Sequence, residues 1–560
     1  MWTIGWRDII WSQLDQKWDL IIIGGGITGA GILREASRTG LRALLVEAHD
    51  FASGTSSRST KMVHGGLRYL KNMQLKITFE SVSERQRLLS EGKGLVKRTG
   101  FLFASFQGDH TPGWVFGMRL AVYDLMARQW AHQSYNIEDM RDLCLPLTSP
   151  ELRGGYRYID AQTDDARLTL RVIREAVRDG GTALNYTKVE SLLRTQDGQV
   201  RGVVLRDQAP QGQGHTAEVQ APLVISATGA WADVLRSQLG KSRRIRPLRG
   251  SHLIFPTNRL SLQRALSWMH PSDGRGIIGM PWEGVTLIGT TDIDHSPDLQ
   301  TDASISDRVA KRRQAVRLLA AHLLAAASRV SRAFAFPEQA RTVNKAWRMS
   351  SALSPVSARS LIPAKPIPRR NPASALRARS GIIWQEDGLL TISDGKLTTF
   401  RLKALDVLRA ARQSLPERHI FDRELPVLDT ISPQVEVLLA NKHLKTTDRL
   451  RLLGRYAADA PELVQTAQPG ELEHIEETAS LWAELRWAAR SEGIVHLDDA
   501  QRKALRNCCA ASAWDCYCQE VGLTKWSTSV PLPNLNLVGI MTGGGVKPRP
   551  MPGYGISVIA

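Results

Sequence analysis

Three glycines near the start of the chain, Gly24, Gly26 and Gly29, have the spacing GxGxxG. At this spacing the first glycine permits a tight turn and the second lets backbone approach a pyrophosphate. The third lets a helix lie close to a strand. Glu47 follows Gly29 by eighteen residues, where a carboxylate can accept hydrogen bonds from a ribose diol. These four residues together predict a dinucleotide-binding site.

A strand, a helix and a second strand are predicted around these residues. An apolar run at 19–24 ends in glycine, as a buried parallel strand does, and 30–36 carries apolar residues at helical spacing. A second apolar run at 41–46 leads to Glu47. The N–H groups and positive dipole end of the helix would then face the phosphates. This order makes the glycine pattern specific.

The segment that follows distinguishes between the two common dinucleotides. Residues 54–69 read Gly-Thr-Ser-Ser-Arg-Ser-Thr-Lys-Met-Val-His-Gly-Gly-Leu-Arg-Tyr, a polar stretch rich in serine and threonine. Such a stretch suits a chain that passes the pyrophosphate and the isoalloxazine ring of a flavin. FAD is therefore favoured over NAD.

At these residues the chain resembles the FAD-dependent glycerol-3-phosphate dehydrogenases of the D-amino-acid-oxidase-like superfamily. The stretch 56–70 is close to that family's signature, and this long match is specific. The similarity extends from about residue 17 to about residue 499 and is weaker near 300 to 380. Shorter matches follow in order at Asp164-Asp165-Ala166-Arg167, 227–231, 249–252, 281–282 with 289–292, and 394–401.

The resemblance implies an α/β fold with interleaved domains. A Rossmann-like, glutathione-reductase-type FAD-binding domain is expected to alternate with an α+β substrate domain, followed by a mostly helical C-terminal domain. Apolar residues at helical spacing in 402–416, 434–457 and 470–492 agree with the last of these. The expected segments are 17–90, 155–245 and 380–402 for FAD, 91–154 and 246–379 for the substrate, 403–499 for the helical domain, and 500–560 for a divergent tail.

The resemblance also implies which residues contact the cofactor. The apolar run 223–229 ends in Gly229 and is assigned to a second FAD contact. Lys396 is placed beside the flavin. The expected FAD contacts are Gly24, Gly26, Gly29, Glu47, Thr55, Ser56, Ser57, Ser59, Gly229, Lys396, Leu397 and Thr398.

Oxidising a secondary alcohol at a flavin requires a base for the hydroxyl proton and groups that orient the substrate. A phosphate ester is oriented by Arg and Lys, because guanidinium forks grip the dianion. The resemblance places Arg68 and Tyr69 at the substrate end of the pocket, with Arg379 and Lys396 as further contacts. The catalytic candidates are His64, His252 and Arg68, and the sequence does not choose between the two histidines as the base.

Two positions depart from the family pattern. Ser354 stands where the family usually has an Arg that lies over the flavin, and Asp394 replaces the first glycine of a Gly-Gly-Lys segment. Loss of a buried charge-assisted contact to a reacting substrate costs several kcal/mol. Arg348 or Arg359 could supply the missing charge, but spacing alone does not establish this.

The net charge of +18 favours anionic partners, either an acidic lipid surface or a phosphorylated small molecule. Basic residues are dispersed along the chain, so a nucleic-acid partner is not expected. A merely solvated basic surface is the alternative. No window has the ~18 to 20 apolar residues of a membrane helix, and the N-terminus does not resemble a signal peptide. A cytoplasmic protein, peripherally attached to the inner face of the cell membrane, is therefore expected.

The N-terminal tryptophans could bind a membrane surface, and the cysteines could bind a metal. Trp2, Trp6 and Trp11 either form an interfacial segment or pack against the body of the protein, and packing is the preferred interpretation. The chain has five cysteines, of which four lie at 508–518 without the spacing of a zinc site, so no metal is expected.

Two classes of function remain from the sequence. The first is a flavoprotein dehydrogenase that oxidises sn-glycerol 3-phosphate to dihydroxyacetone phosphate and passes electrons to a membrane quinone, or a relative oxidising another small molecule. The second is an FAD-binding pseudoenzyme, which Ser354 and the unusual tail favour. The intact segments 24–47 and 56–70 argue against general decay. A homodimer is an option, and the sequence does not determine the oligomeric state.

Overall fold

The structure is a computed structural model. Strands are numbered β1 to β20 and helices α1 to α13 in chain order. The described residues are 2–3, 5–70, 73–109, 112–144, 150–212, 214–245, 248–249, 252–257, 260–269, 276–290, 293–294, 382–393, 396–416, 421–440, 444–475, 478–496, 499 and 557–559.

A six-stranded sheet forms around the predicted strand–helix–strand unit. In spatial order its strands are β18 (Ile382–Glu386), β19 (Leu389–Ser393), β11 (Leu223–Ser226), β1 (Leu20–Ile23), β2 (Ala43–Val46) and β7 (Thr182–Leu184). All neighbours pair in parallel except β18 and β19, which form an antiparallel pair. The expected order of two parallel strands separated by a helix is confirmed, because β1 pairs directly with β2.

A nine-stranded, mostly antiparallel sheet is the second large layer. Its long central pair is β4 with β6, which pair from Val96 opposite Thr163 to Phe106 opposite Leu152 with a register shift between Ser105 and Phe106. Its strands are β3 (Met62–Val63), β4 (Val96–Phe106), β5 (Gln133–Tyr135), β6 (Leu152–Thr163), β13 (His252–Pro256), β14 (Ala265–Met269), β15 (Gly276–Trp282), β16 (Val285–Gly289) and β20 (Ser557–Ile559).

Two small sheets complete the strands. One is an antiparallel meander of β8 (Thr187–Arg194), β9 (Val200–Asp207) and β10 (Thr216–Gln220). The other pairs β12 (Leu248–Arg249) with β17 (Ile293–Asp294).

The helices lie on the sheets and in the C-terminal region. Within the described part of the chain, none combines the length and the hydropathy that crossing a membrane requires. They are α1 (Trp6–Ser12), α2 (Ile27–Arg38), α3 (Leu67–Leu70), α4 (Leu75–Glu91), α5 (Gly113–Met126), α6 (Ile137–Leu143), α7 (Asp165–Arg178), α8 (Ala232–Gln238), α9 (Phe400–Ala410), α10 (Pro433–Ala440), α11 (Thr446–Tyr456), α12 (Ala460–Gln465) and α13 (Trp482–Ser491).

The core beside the six-stranded sheet is a close packing of α2 against α7 and α9. Gly31 of α2 allows this packing, since a Cβ there would lie 2.8 Å from the ring of Phe400. Ile32, Leu33 and Phe400 are fully buried in one apolar cluster with β1 and β2. The helix that follows the glycine turn is therefore held on both flanks, and its N-terminus has a defined position.

The N-terminal tryptophans pack against the body, as preferred from the sequence. Trp2 is buried, stacks on Phe51 with ring centroids 5.2 Å apart, and donates from its indole nitrogen to the Ala183 carbonyl at 3.3 Å. Trp6 lies 5.9 Å from Trp2, ring to ring. The aromatic side chains of this segment therefore cover the loop that follows β2.

Two features of the structure differ from the sequence expectations. Residues 155–163, placed with the FAD segments, belong to β6 and pair with β4 in the nine-stranded sheet. The described residues 470–475 and 478–481 are not helical, because buried Glu471 holds a turn by accepting from the Gln468 amide and the Arg486 side chain. Of the expected tail, residues 500–556 and 560 lie outside the described residues, as do all four clustered cysteines.

Candidate active site

The glycine turn between β1 and α2 is too tight for any side chain at two positions. Gly24 has φ +113°, and a Cβ there would lie 2.7 Å from the Ala227 carbonyl oxygen at the end of β11. A Cβ at Gly29 would lie 1.9 Å from the Gly24 carbonyl oxygen. A Cβ at Gly26 would meet only the Ser56 hydroxyl, at 3.1 Å. Gly24 and Gly29 therefore shape the turn. Gly26 keeps the outer surface of the turn free of side-chain atoms.

Residues from two distant parts of the chain meet at this turn. Ser56, in a 3-10 turn at Thr55–Ser57, accepts a hydrogen bond from the Ile27 amide at 2.9 Å. Gly229, with φ +58°, follows β11 beside Gly24. Thr55, Ser57 and Gly229, predicted as cofactor contacts, thus lie in segments that adjoin the N-terminus of α2.

Glu47 lies at the carboxyl end of β2 and is oriented by backbone. Its two carboxylate oxygens accept from the Gly25 amide at 2.7 Å and the His49 amide at 2.9 Å. Burial raises the pKa of Glu47, and the hydrogen bonds from Gly25 and His49 oppose that effect. Each oxygen of a carboxylate can accept more than one hydrogen bond, so the oriented group can still receive a ribose hydroxyl.

A buried carboxylate organises the polar loop after the 3-10 turn. Asp165, at the first position of α7 and fully buried, accepts from the Ser59 amide at 3.0 Å and the Ser59 hydroxyl at 2.7 Å. Its other oxygen accepts from the Lys61 ammonium at 2.7 Å, and that ammonium also donates to the Ser57 carbonyl at 2.6 Å. Ser59 was predicted to contact the cofactor; the structure shows its hydroxyl directed at Asp165.

Replacement of Asp165 by asparagine is expected to destabilise the protein by about 3–5 kcal/mol, because it leaves the buried Lys61 ammonium without its counter-charge. The loop carrying Ser56 would also lose its anchor, so FAD affinity should fall. Denaturant unfolding and the flavin-to-protein absorbance ratio measure the two effects. Asp197→Asn, at a solvent-exposed site, serves as the matched control. An Asp165→Asn protein with unchanged stability and flavin content would contradict the anchoring role.

His252 on β13 is buried and faces this same loop. Its Nε2 lies 3.1 Å from the Thr60 hydroxyl, and a Cβ at Gly289 would lie 2.4 Å from its ring. Burial, and then the positive charge of Lys61, lower the pKa of His252 to about 4. The imidazole is therefore neutral at physiological pH, with one ring nitrogen engaged by Thr60.

A second group of predicted residues meets where β3 passes into α3. The His64 and Tyr69 rings lie 6.3 Å apart, and the Lys396 ammonium lies 3.7 Å from the centroid of the Tyr69 ring. The Thr398 hydroxyl donates to the His64 carbonyl at 3.0 Å. Leu397 and Thr398 form a short 3-10 turn before α9. Residues more than 300 positions apart in the chain thus form one cluster.

The hydroxyl of Tyr69 in this cluster is buried and has no hydrogen-bond partner among the described residues. The ring is held by the turn before it, since Gly66 has φ +81° and a Cβ there would lie 2.5 Å from the ring. A buried hydroxyl without a partner costs about 1–3 kcal/mol, so this position favours a bound polar group.

The remaining predicted residues either lie in the same segment as the cluster or belong to parts of the chain that the structure does not describe. Arg68 is the second residue of α3, between His64 and Tyr69 in the cluster's own segment. Arg379 lies outside the described residues, as do Ser354 with its neighbours Arg348 and Arg359, and Asp394. The structure therefore does not test the substitution of the family's arginine.

Sequence reasoning missed the roles of Asp165 and Lys61. Both stand inside matched motifs, Asp164–Arg167 and 56–70, yet neither was given a function. The available signal was a pair of opposite charges in two motifs without assigned partners. Their contact joins residues 104 positions apart, which no local pattern indicates.

Comparison with known proteins agrees with this geometry. The sequence model of the family described as DAO, FAD dependent oxidoreductase, matches residues 19–347. The aerobic glycerol-3-phosphate dehydrogenase of Staphylococcus epidermidis is 32% identical over 74% of this chain and 70% of its own length. The enzyme of the same name from Bacillus subtilis is 32% identical over 73% of this chain and 70% of its own length.

A solved structure is similar over nearly the whole chain. The crystal structure of the glycerol-3-phosphate dehydrogenase from Bacillus halodurans, complexed with FAD, matches with a TM-score of 0.61 and 25% identity. The match covers 96% of this chain and 98% of that one.

The residues present fit FAD. Gly24 and Gly29 form a turn that no side chain obstructs, and Ser56 lies at the N-terminus of α2. Glu47 is oriented so that it can accept from a ribose, and at the other end of the loop the Tyr69 hydroxyl has no partner among the residues that the structure describes. A glycine turn of the kind that suits a phosphate, a carboxylate that can accept from a ribose and a polar cluster thus occur along one path of the chain.

Proposed function

Because the chain belongs to the FAD-dependent oxidoreductases and, among them, to the aerobic glycerol-3-phosphate dehydrogenase family, we propose that it oxidises sn-glycerol 3-phosphate to dihydroxyacetone phosphate. Its cofactor is FAD, which when bound accepts a hydride from the alcohol carbon. The observation that carries the proposal is the cluster of His64, Tyr69 and Lys396 beside the loop that leads from the dinucleotide turn.

The proposed roles follow from the chemistry of each side chain. Lys396 supplies positive charge to the phosphate dianion, and Arg68 and Arg379 supply guanidinium forks. Tyr69 donates a hydrogen bond from its hydroxyl to the substrate, which satisfies a group that has no partner in the described part of the chain. We propose His64 as the base that takes the hydroxyl proton, because it lies in the cluster, whereas a ring nitrogen of His252 contacts Thr60. His252 is then a neutral orienting group.

The electron acceptor and the location of the protein are also proposed. We propose that electrons leave the flavin for a membrane quinone and that the protein attaches peripherally to the inner face of the cell membrane. The net charge of +18 supports attraction to anionic lipid. A homodimer is compatible with this arrangement.

We also propose the domain division expected from the sequence, with one adjustment. The strands of the six-stranded sheet all fall within 17–90, 155–245 and 380–402, which supports a discontinuous FAD-binding domain. The adjustment is that β3 and β6 belong to the sheet of the substrate domain. The loop with Ser59 and Lys61 therefore crosses from one domain to the other.

The test of the proposal is an anaerobic titration of the purified yellow protein with glycerol 3-phosphate. We expect the flavin absorbance to bleach with the phosphate ester and to persist with glycerol and with a D-amino acid. Colour that persists with all three would contradict the dehydrogenase assignment and favour the pseudoenzyme, whose sequence support is Ser354.

Tyr69→Phe is expected to lower kcat/KM for flavin reduction by roughly ten- to a hundredfold. This factor corresponds to the free energy of a hydrogen bond to a charged group. Flavin content should not change and thermal stability should not fall, because removal of a hydroxyl that has no partner among the described residues breaks no hydrogen bond of the protein. Stopped-flow measurement of flavin bleaching tests this, with Tyr135→Phe as the control, since the Tyr135 hydroxyl donates to the Gln133 side chain at 2.9 Å within β5. An unchanged kcat/KM would remove Tyr69 from the substrate site.

A further inference from the structure

Helix α5 carries a row of exposed apolar side chains. Trp114 is 64% exposed, Met118 55%, Val122 42% and Leu125 73%. Spaced by four, four and three positions, they follow one face of the helix. Trp130, just beyond its end, is 74% exposed. These five residues are called the α5 apolar face.

The opposite face of the same helix is also apolar. Phe116, Leu120 and Tyr123 are buried, and Tyr123 packs with Leu70 and Val82 of α3 and α4. A helix that is apolar on both sides normally has a partner on both sides. The buried face of α5 packs against the rest of the protein. The exposed face is therefore expected to contact a separate partner.

The adjoining start of α4 has the same character. Met73 is 77% exposed and Phe79 54%, and Leu75 is also exposed. Exposed apolar side chains on two helices that contact each other favour a docking surface, since large exposed apolar patches are rare on soluble monomers. Two tryptophans at the ends of the α5 apolar face suit the boundary between lipid tails and headgroups, where amphipathic indole rings concentrate.

The charges around the face select the partner. Between Gly113 and Trp130 the acidic residue is Asp124, which is buried and accepts from the His132 amide and ring at 2.8 Å. The basic residues of that stretch are Arg119 and Arg128, and at the start of α4 exposed Lys76 is offset by half-buried Glu80, so the local charge is positive. An anionic surface complements this distribution, whereas a symmetric contact between two copies would bring together basic residues from both.

We propose that the α5 apolar face docks this protein on an anionic lipid bilayer, with Trp114 and Trp130 at the headgroup level. This inference rests on the proposed function, since it specifies the surface used for membrane attachment. Helix α5 packs against α3, which carries Tyr69 of the candidate site. Docking through this face therefore brings the bilayer to the side of the fold where the substrate cluster lies.

The test compares two double variants of the FAD-loaded full chain. Met118→Glu/Leu125→Glu alters the α5 apolar face, and Val437→Glu/Leu438→Glu alters exposed apolar residues of α10 as the matched control. Both are co-sedimented with vesicles of equimolar phosphatidylcholine and phosphatidylglycerol, and with phosphatidylcholine alone. We expect the first variant to bind the anionic vesicles at least tenfold more weakly, and the control to bind like the unaltered protein.

The possible results test the docking surface independently of the proposed dehydrogenase activity. Equal binding by both variants and the unaltered protein would overturn the proposal. Loss of a dimer in the first variant, seen by analytical ultracentrifugation without vesicles, would overturn it in favour of contact between two copies. Anaerobic bleaching by glycerol 3-phosphate is recorded in parallel without lipid. Failure to bleach with vesicle binding intact would contradict the proposed activity and leave the docking surface standing.

Discussion

Gly29→Ala is expected to weaken FAD binding by at least a hundredfold and to destabilise the protein by about 3 kcal/mol or more. The added Cβ would lie 1.9 Å from the Gly24 carbonyl oxygen, and a backbone atom cannot rotate away as a side chain can. Helix α2 would have to move off β1, although Phe400 holds it from the other side. The phosphate-binding geometry at its N-terminus would then be lost.

The measurement is the flavin-to-protein absorbance ratio after purification, followed by titration of the apoprotein with FAD. Gly100→Ala is the matched control, because a Cβ there meets nothing within 4 Å. Gly26→Ala should have an intermediate effect, since its Cβ would meet only the Ser56 hydroxyl at 3.1 Å. Full flavin content in Gly29→Ala would show that the turn tolerates displacement and that its position does not limit FAD binding.

Glu484→Gln is expected to lower the free energy of unfolding by about 3–5 kcal/mol at neutral pH. The carboxylate is fully buried in the C-terminal helical region, where it forms ion pairs with Arg451 and Arg455. It also accepts from the Tyr456 hydroxyl at 3.2 Å and the Leu481 amide at 2.9 Å. A neutral amide would leave two buried guanidinium groups with less counter-charge.

The pH dependence of this effect has a defined sign. Burial alone would raise the pKa of Glu484, but Arg451 and Arg455 lower it from 4.5 to about 2. A folded-state pKa below the unfolded value stabilises the protein above pH 4.5, and that stabilisation is lost as the pH falls toward 2. The difference between the unaltered protein and Glu484→Gln should therefore be largest near neutrality and shrink in acid.

Denaturant unfolding at neutral and acidic pH measures both parts of the prediction. Glu436→Gln is the control, because Glu436 pairs with Lys93 on the surface and exposed pairs contribute about 1 kcal/mol or less. A Glu484→Gln protein as stable as the control at neutral pH would show that the buried network adds no net stability.

The cofactor turn could be predicted from the sequence because its determinants are local. Gly24, Gly26 and Gly29 lie within six residues, between a strand and a helix that both have clear apolar patterns. The loop at 55–59 was predicted to lie at the cofactor, and Ser56 does contact the N-terminus of α2. Local spacing predicts a feature well when the contacts that form it are also local.

Local patterns were less informative in segments whose structure is set by contacts with residues that are distant in the chain. The apolar spacing in 470–492 suggested a helix from its start, but Glu471 and Arg486 hold a turn in the described residues 470–475. The strand partner of the segment that follows residue 155 is likewise distant, since it is β4, which lies earlier in the chain. A hydrophobic period shows which residues are buried, but not which part of the chain covers them.

By itself the sequence determined the dinucleotide turn, the preference for FAD and the family, because glycine geometry and long motifs reside in consecutive residues. The tertiary structure alone decided that Asp165 anchors Ser59 and Lys61, that the Tyr69 hydroxyl has no partner among the described residues, and that α5 exposes an apolar face. Each of these depends on burial and on pairing between segments that are far apart in the chain. Those quantities arise only when the sheets and helices pack.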